Sequence, residues 1–82
     1  MECFVYRSLK KNNTYLYIVE KDDFSNIPSS LMTVFGSGEF SLSFEHSPDK
    51  KLAQEDSRQV YENLTTQGFH LQLPNEDYLY EL

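Results

Sequence analysis

The sequence contains one cysteine and two histidines, the residue types that together form a thiolate nucleophile and its base. A cysteine becomes a nucleophile when a nearby base or positive charge stabilises its thiolate. Cys3 lies inside the apolar and aromatic run 2–7, whereas His46 lies in a polar turn and His70 in a second short apolar run. Because no base lies near Cys3 in the sequence, we expect an unreactive buried thiol and no catalytic residue.

Acidic residues close to His46 and in the 22–23 pair raise the question of a metal site. Glu45, His46 and Asp49 lie within five positions of one another. Neither group has the spacing of paired Cys/His zinc ligands or of a calcium loop with its central glycine. We interpret these acids as solvated surface and expect no metal and no other cofactor.

The elements that position these residues begin with two strands. Residues 2–7 and 14–20 are rich in β-branched and aromatic side chains, which is typical of strands. The loop between them contains Asn12 and Asn13, which tolerate left-handed backbone geometry, so the two strands are predicted to form a hairpin. Both faces of this hairpin are apolar or aromatic, and each face therefore needs a covering layer or a partner.

Two short helices are predicted, each with a single apolar stripe. The first has apolar residues at i, i+4, i+7 and i+8, which are Ile27, Leu31, Val34 and Phe35. Gly36 follows as the residue that would end this helix, because glycine readily takes the required left-handed geometry. The second is predicted over roughly residues 54–67, with Val60 and Leu64 on its stripe. Asp56 and Gln59 have capping-box spacing near its start.

Two further segments alternate between apolar and polar residues. In residues 39–45 the side chains of Phe40, Leu42 and Phe44 share one side, which predicts a strand buried on a single face. Residues 69–73 alternate in the same way, and we expect Leu42 and Leu71 to be core residues. The order is therefore ββαβαβ. The simplest arrangement is an α+β domain of residues 1–74, with a mixed four-stranded sheet and both helices packed on one face.

Length and charge narrow the classes of function. The 82 residues suit a single domain, and 13 acidic against seven basic residues give a net charge of -6. This balance disfavours nucleic acid and anionic membranes, which attract basic surfaces. No apolar run approaches the ~20 residues of a membrane span, and the start lacks the charge order of a signal peptide. A lone cysteine forms no internal disulfide, so the cytoplasm is the expected location.

Several segments resemble the YcgL family of small bacterial proteins. The likeness covers roughly residues 3–74 and is carried by residues 14–18 (TYLYI), 20–25 (EKDDFS), Ile27-Pro28, Leu31-Met32, Phe35-Gly36 and 68–74 (GFHLQLP). The resemblance implies a compact α+β domain of the bacterial cytoplasm. It implies no established activity, and no catalytic residue is carried over from it.

The leading hypothesis is a non-enzymatic module that binds another protein or peptide through an open sheet face or a strand edge. If Leu16 and Ile18 point towards the helices, the opposite face carries tyrosines and small polar residues, a composition typical of recognition surfaces. The predicted binding residues are Tyr15, Tyr17, Ser41, Ser43, His70 and Gln72, with Tyr17 as the anchor. Alternatively, the tail of residues 75–82 covers this face.

A second hypothesis is a single-stranded RNA-binding domain. Arg7, Lys10 and Lys11 cluster at the first hairpin, close to Tyr6 and Tyr15, and bases stack on tyrosine beside positive charge in small RNA-binding sheets. The acidic balance and the absence of the characteristic Lys/Arg-Gly-Phe strand motif speak against this function. Cross-strand packing that stiffens the hairpin also explains the same aromatic residues.

Overall fold

The computed structural model describes residues 1–52 and 55–74. Its elements in chain order are β1 (Glu2–Ser8), β2 (Tyr15–Ile18), α1 (Ser29–Phe35), β3 (Gly38–Glu45), α2 (Ser57–Thr66) and β4 (Phe69–Gln72). This order confirms the α+β class and the ββαβαβ succession of elements. Position 54, the expected start of the second helix, and residues 75–82, the expected tail, lie outside the described residues.

The ends of α2 follow from local sequence chemistry. At its start the carboxylate of Asp56 accepts hydrogen bonds from the backbone N–H groups of Arg58 (2.9 Å) and Gln59 (3.2 Å). Such a cap stabilises a helix by about 1 kcal/mol. Gly68 follows the helix with a φ of 85°, and Gly36 follows α1 with a φ of 74°, a region that other residues adopt at a cost.

Within the described residues, no helix is long and apolar enough to cross a bilayer.

The four strands form one sheet in the order β3-β1-β2-β4, and every neighbouring pair is antiparallel. The expectation of a mixed sheet is therefore wrong. The β1–β2 hairpin occupies the centre, and each helix leads the chain across it to an outer position. Although β2 and β3 run in the same direction, β1 lies between them, so the two strands do not pair. Parallel pairing requires adjacent strands of one direction.

The two helices pack on opposite faces of the sheet. Successive residues of a strand point to opposite faces, and Val5 and Tyr17 belong to a core cluster with the buried residues of α2. Tyr6 and Leu16 belong to a second cluster with Phe35 of α1. We call these two sides the α2 face and the α1 face. The expectation that both helices share one face is corrected, and the apolar character of both hairpin faces is explained because each meets a helix.

A β-bulge in β3 interrupts the alternation that the sequence suggests. Val5 of β1 lies opposite Leu42, but the next residue, Tyr6, lies opposite Phe40, so Ser41 is the extra residue. Phe40 therefore lies on the α1 face, whereas Leu42 and Phe44 lie on the α2 face. Leu42 is 48% exposed, which corrects the expectation that it is a core residue. Leu71, paired with Leu16 on the α1 face, is half-buried and packs against the second cluster.

Candidate functional site

The tyrosine-rich face predicted for binding lies beneath α2. Tyr17 pairs with His70 and Tyr15 with Gln72 across β2 and β4, so these four residues share the α2 face. Tyr17, His70 and Gln72 are buried and Tyr15 is half-buried. The structure thus brings together four of the six predicted residues. It places them under a helix, because the apolar stripe of α2 covers the side of the hairpin that we expected to be open.

The Tyr17 side chain is held inside this layer by a polar contact and an aromatic contact. Its hydroxyl donates a hydrogen bond of 2.5 Å to Oε1 of Gln72. Its ring meets the His70 ring edge-on, with centroids 5.5 Å apart. Burial raises the pKa of Tyr17 to about 12, and the negative charge of Glu55 acts in the same direction. Tyr17 is therefore a neutral, internally paired residue at physiological pH.

Both ring nitrogens of His70 are engaged within the chain. Nδ2 of Asn63 lies 2.9 Å from Nδ1, and Oε1 of Glu55 lies 2.7 Å from Nε2. An amide nitrogen only donates, so Nδ1 accepts and Nε2 carries the hydrogen that points to Glu55. With both positions occupied, His70 has no nitrogen available as a general base in this arrangement. Asn63 and Glu55 were not identified from the sequence, because nothing in their spacing connects them to His70.

Cys3 lies on the same face and is completely buried. Burial raises the pKa of its thiol to about 12, against a smaller opposite effect of the N-terminal ammonium group. The thiolate, which is the reactive form, is therefore disfavoured near neutral pH. This agrees with the expectation of a small buried side chain.

His46 is buried, although the sequence places it in a turn. It follows β3, its Nε2 lies 3.1 Å from the carbonyl oxygen of Ser57 at the start of α2, and its ring stands edge-on to Phe44. Its Nδ1 has no hydrogen-bond partner among the described residues. No group of three or more potential metal ligands occurs in residues 1–52 and 55–74. His46 thus joins the end of β3 to the start of α2.

The basic residues of the first hairpin make contacts within the chain. Arg7 Nη2 lies 3.3 Å from Oε2 of Glu39, and Lys10 Nζ donates a 3.1 Å hydrogen bond to the carbonyl oxygen of Thr33. Lys11 is exposed. Two of the three side chains in the predicted basic patch therefore make polar contacts within their own chain.

Ser41 and Ser43 lie apart from the tyrosines, on the edge strand β3. Within the described residues, β3 pairs with β1 alone, and all its residues except the half-buried Phe44 are exposed. The exposed residues include Phe40, at 42%, and Leu42, at 48%. The side of β3 that faces away from β1, which we call the outer edge of β3, thus combines apolar side chains with an unpaired strand. Sequence patterning indicated the strand but not its position at the edge.

Comparison with known proteins identifies relatives over nearly the whole chain. A family model described as the YcgL domain matches residues 3–75. A YcgL domain-containing protein of Thioalkalivibrio sulfidiphilus is 48% identical over 77 residues, which cover 94% of this chain and 95% of that protein. A YcgL domain-containing protein of Proteus mirabilis is 46% identical over 74 residues, covering 90% of this chain and 76% of that protein.

A third relative is much longer than this chain. A protein of Nitrosococcus oceani named as a putative HAD-like hydrolase is 41% identical over 76 residues, which cover 93% of this chain and 20% of that protein. The names of the two YcgL relatives specify no reaction or ligand. The matched range and the identities show that the chain belongs to the YcgL domain family.

Proposed function

We propose that this YcgL domain is a non-enzymatic interaction module of the bacterial cytoplasm that binds another protein or peptide through the outer edge of β3. The observation that carries the proposal is the exposure of Phe40 and Leu42 on a strand that has only one described neighbour. Folded proteins usually cover, shorten, bulge or charge such an edge, because its backbone groups are a template for pairing with another chain. β3 has a bulge at Ser41 and glutamates near both ends, but the apolar side chains at its centre stay exposed. An eight-residue edge with apolar side chains is consistent with use as a binding site.

The groups that could carry chemistry support a non-enzymatic function. Cys3, His46 and His70 are all buried, and His70 and Tyr17 are hydrogen-bonded to other side chains. An active site instead needs an accessible group that can change its protonation or bonding during a reaction. On the described surface, apolar exposure is a stronger indication of function than any titratable group.

The N. oceani relative supports action beside a second protein. The region similar to this chain forms one fifth of that putative HAD-like hydrolase, whereas it forms 95% of the T. sulfidiphilus protein. A domain that occurs both as a nearly complete protein and as a minor part of a larger one is suited to work next to another domain. A contact surface on the module is one way to achieve this.

Within this proposal the six predicted binding residues have two different tasks. Ser41 and Ser43 lie on β3 and contact the partner directly. Tyr15, Tyr17, His70 and Gln72 support the sheet from beneath α2, since their burial leaves little surface for a partner. In this proposal Leu42, the exposed residue at the centre of β3, replaces Tyr17 as the residue that anchors the partner.

The proposal is tested by affinity capture with the full chain as bait and a lysate of Proteus mirabilis, which has a YcgL relative. Captured proteins are identified by mass spectrometry, purified and measured for affinity. We expect a protein that binds wild type after nuclease treatment and loses at least tenfold in affinity for Leu42→Asp, because a charge replaces apolar contact area at the centre of the edge.

The matched control is Leu9→Asp, which changes the same residue type at a similarly exposed position (56%) outside β3. It should retain binding, and thermal melting checks that both variants fold. Loss of all captured protein on nuclease treatment would support the RNA alternative. Equal loss in the two variants, or no enriched protein, would contradict the proposed function.

A further inference from the structure

We propose that the outer edge of β3 also pairs with a second copy of this chain, in an antiparallel two-fold dimer centred on Ser43. The inference rests on the same exposed edge as the proposed function. It goes beyond that function because it names the occupant of the edge when no other protein is bound there. An unpaired strand edge is a template for pairing, and isologous two-fold contacts are the commonest way in which copies of a chain associate.

The bulge in β3 limits the part of the edge that can pair regularly. Beyond Ser41, residues 42–45 keep a regular register with β1, whereas Phe40 is shifted to the opposite face of the sheet. Directly opposite residues of two paired strands point to the same face, so the alternation of faces restricts the register. The four regular residues therefore determine how a second copy can pair.

The side chains of residues 42–45 alternate between the two faces of the sheet. Leu42 and Phe44 lie on the α2 face, opposite residues of the core cluster on that face, and Phe44 packs against this cluster. Ser43 and Glu45 consequently point to the α1 face. Leu42 is 48% exposed. The regular part of the edge thus has one exposed leucine beside a partly buried aromatic ring.

Among the two-fold registers of this segment, the one centred on Ser43 matches apolar with apolar side chains. It places Leu42 of each copy opposite Phe44 of the other, on the α2 face of both. Opposite side chains of an antiparallel pair are in contact, so each exposed leucine is covered. A register centred on Leu42 would set Phe44 opposite Phe40, which lies on the other face. One centred on Phe44 would set Leu42 opposite the buried His46.

The charges along the edge are compatible with this pairing. With Ser43 at the centre, Glu45 of one copy lies beside Ser41 of the other, so no two glutamates are directly opposite. Like charges in directly opposite positions would destabilise a strand pair. Glu39 and Glu45 are each ion-paired within their own chain, with Arg7 at 3.3 Å and the N-terminal ammonium at 2.8 Å. Neither carboxylate therefore needs a charge from the partner.

The paired segment is short, so the dimer is expected to be weak and concentration-dependent. A standard stable interface has about 20–30 residues on each side, far more than this segment. Two-fold symmetry makes each contact twice, which favours a second copy over an unrelated strand of the same length. We expect a dissociation constant between about 10 µM and 1 mM, so the edge is free in dilute solution.

Analytical ultracentrifugation of the full chain tests for the dimer. Between about 10 µM and 1 mM, the average mass of wild type should rise from 9.6 kDa towards twice that value. Leu42→Asp should self-associate at least about tenfold more weakly, because it places a charge opposite Phe44. Leu9→Asp changes the net charge equally at a similarly exposed position outside β3 and should behave as wild type. Thermal melting checks that both variants fold.

Cysteine cross-linking tests the register. Ser43→Cys places the new thiol opposite its counterpart in the second copy, at a spacing that a disulfide can bridge. In a glutathione redox buffer this variant should form a disulfide-linked dimer. Ser41→Cys should not, because the two positions 41 are about 13 Å apart along the strands in this register. Ser30→Cys, at an exposed position of α1, controls for random collision, and Cys3 is buried in all three variants.

A wild type that stays monomeric at about 1 mM would overturn the inference, and so would equal self-association of Leu42→Asp and Leu9→Asp. Linking of Ser41→Cys or Ser30→Cys as fast as Ser43→Cys would overturn the pairing centred on Ser43. A monomeric wild type, together with a captured protein that Leu42→Asp loses, would leave the proposed function intact and overturn only the inference. The expected dimer without any captured protein would support the inference and contradict the proposed function.

Discussion

The α2 face and the outer edge of β3 differ in which side chains they bury: the first buries polar groups and the second exposes apolar ones. Beneath α2, the polar groups of Tyr17 and His70 are buried and hydrogen-bonded within the chain. On β3, Phe40 and Leu42 are exposed although their side chains are apolar. Residue type alone would assign binding to the first region and packing to the second. Helix coverage reverses this assignment, because α2 covers Tyr17 on the central strand β2 and His70 on the edge strand β4, whereas Phe40 and Leu42 of the opposite edge strand belong to neither core cluster.

The largest effect that would test this comparison is expected from Tyr17→Ala. Truncating a buried aromatic side chain typically costs about 3–5 kcal/mol of stability, and a domain of this size has only about 4–12 kcal/mol in total. We expect a large fall in the urea midpoint, with the partner affinity of the folded fraction unchanged. Unchanged stability with at least tenfold weaker partner binding would show that Tyr17 is an exposed anchor after all.

A second effect concerns alkaline pH. The pKa values of Cys3 and Tyr17 are both raised to about 12 in the folded chain, from ordinary values of 9.0 and 10.0. The unfolded chain therefore releases these protons at lower pH than the folded chain does. Stability is fully present below about pH 9 and falls as the pH rises towards 12. Urea midpoints across this range should decrease.

The variant Tyr17→Phe sharpens the alkaline prediction because it removes one titrating group and keeps the ring. Its loss of stability between pH 10 and 12 should be smaller than that of wild type. Equal slopes in the two proteins would show that Tyr17 is not buried as a neutral hydroxyl.

An intermediate effect is expected at the start of α2, the helix that separates the two regions. Asp56→Ala removes the acceptor for the N–H groups of Arg58 and Gln59 and should cost about 1 kcal/mol. Asp56→Asn, which retains an acceptor, should cost less. Equal losses in the two variants, measured by thermal melting, would indicate that charge rather than capping stabilises the helix.

The smallest effect on stability is expected from Leu42→Ala, at no more than about 0.5–1 kcal/mol, because the side chain is half-exposed. The matched core change is Leu16→Ala, which should cost about 2–5 kcal/mol because Leu16 is completely buried. Similar urea midpoints for the two variants would mean that the outer edge of β3 is covered in solution.

Local chemistry in the sequence was sufficient to predict the hairpin, the cap at Asp56 and the glycine stop at Gly36. These features depend on a few neighbouring residues, so their signals are complete within a short segment. The faces were harder to predict. A single apolar stripe on a helix does not indicate which face of the sheet the helix packs on. The apolar residues on both faces of the hairpin were the one indication in the sequence that both faces are covered.

The alternation of apolar and polar residues in the sequence predicted neither the edge position of β3 nor the burial of His46. Residues 39–45 have the pattern of a strand with a buried face, but the order β3-β1-β2-β4 leaves this strand at the side of the sheet. The bulge at Ser41 then moves Phe40 to the face opposite Leu42. Similarly, His46 follows a strand in a polar segment, and only the approach of Ser57 from α2 explains its burial. Both outcomes depend on contacts distant in sequence.

The two core clusters on opposite sides of the sheet have a consequence for local unfolding. The α1 and α2 clusters both draw residues from the β1–β2 hairpin, but neither includes a buried residue of the other helix. Either helix can therefore detach while the cluster on the opposite face stays intact. The two helices should accordingly behave as separate units in hydrogen exchange. The hairpin amides, which are protected from both sides, should exchange last. The slowest-exchanging unit of this domain is thus the β1–β2 hairpin, which lies nearest the N-terminus. Each helix covers one face of the hairpin independently of the other helix.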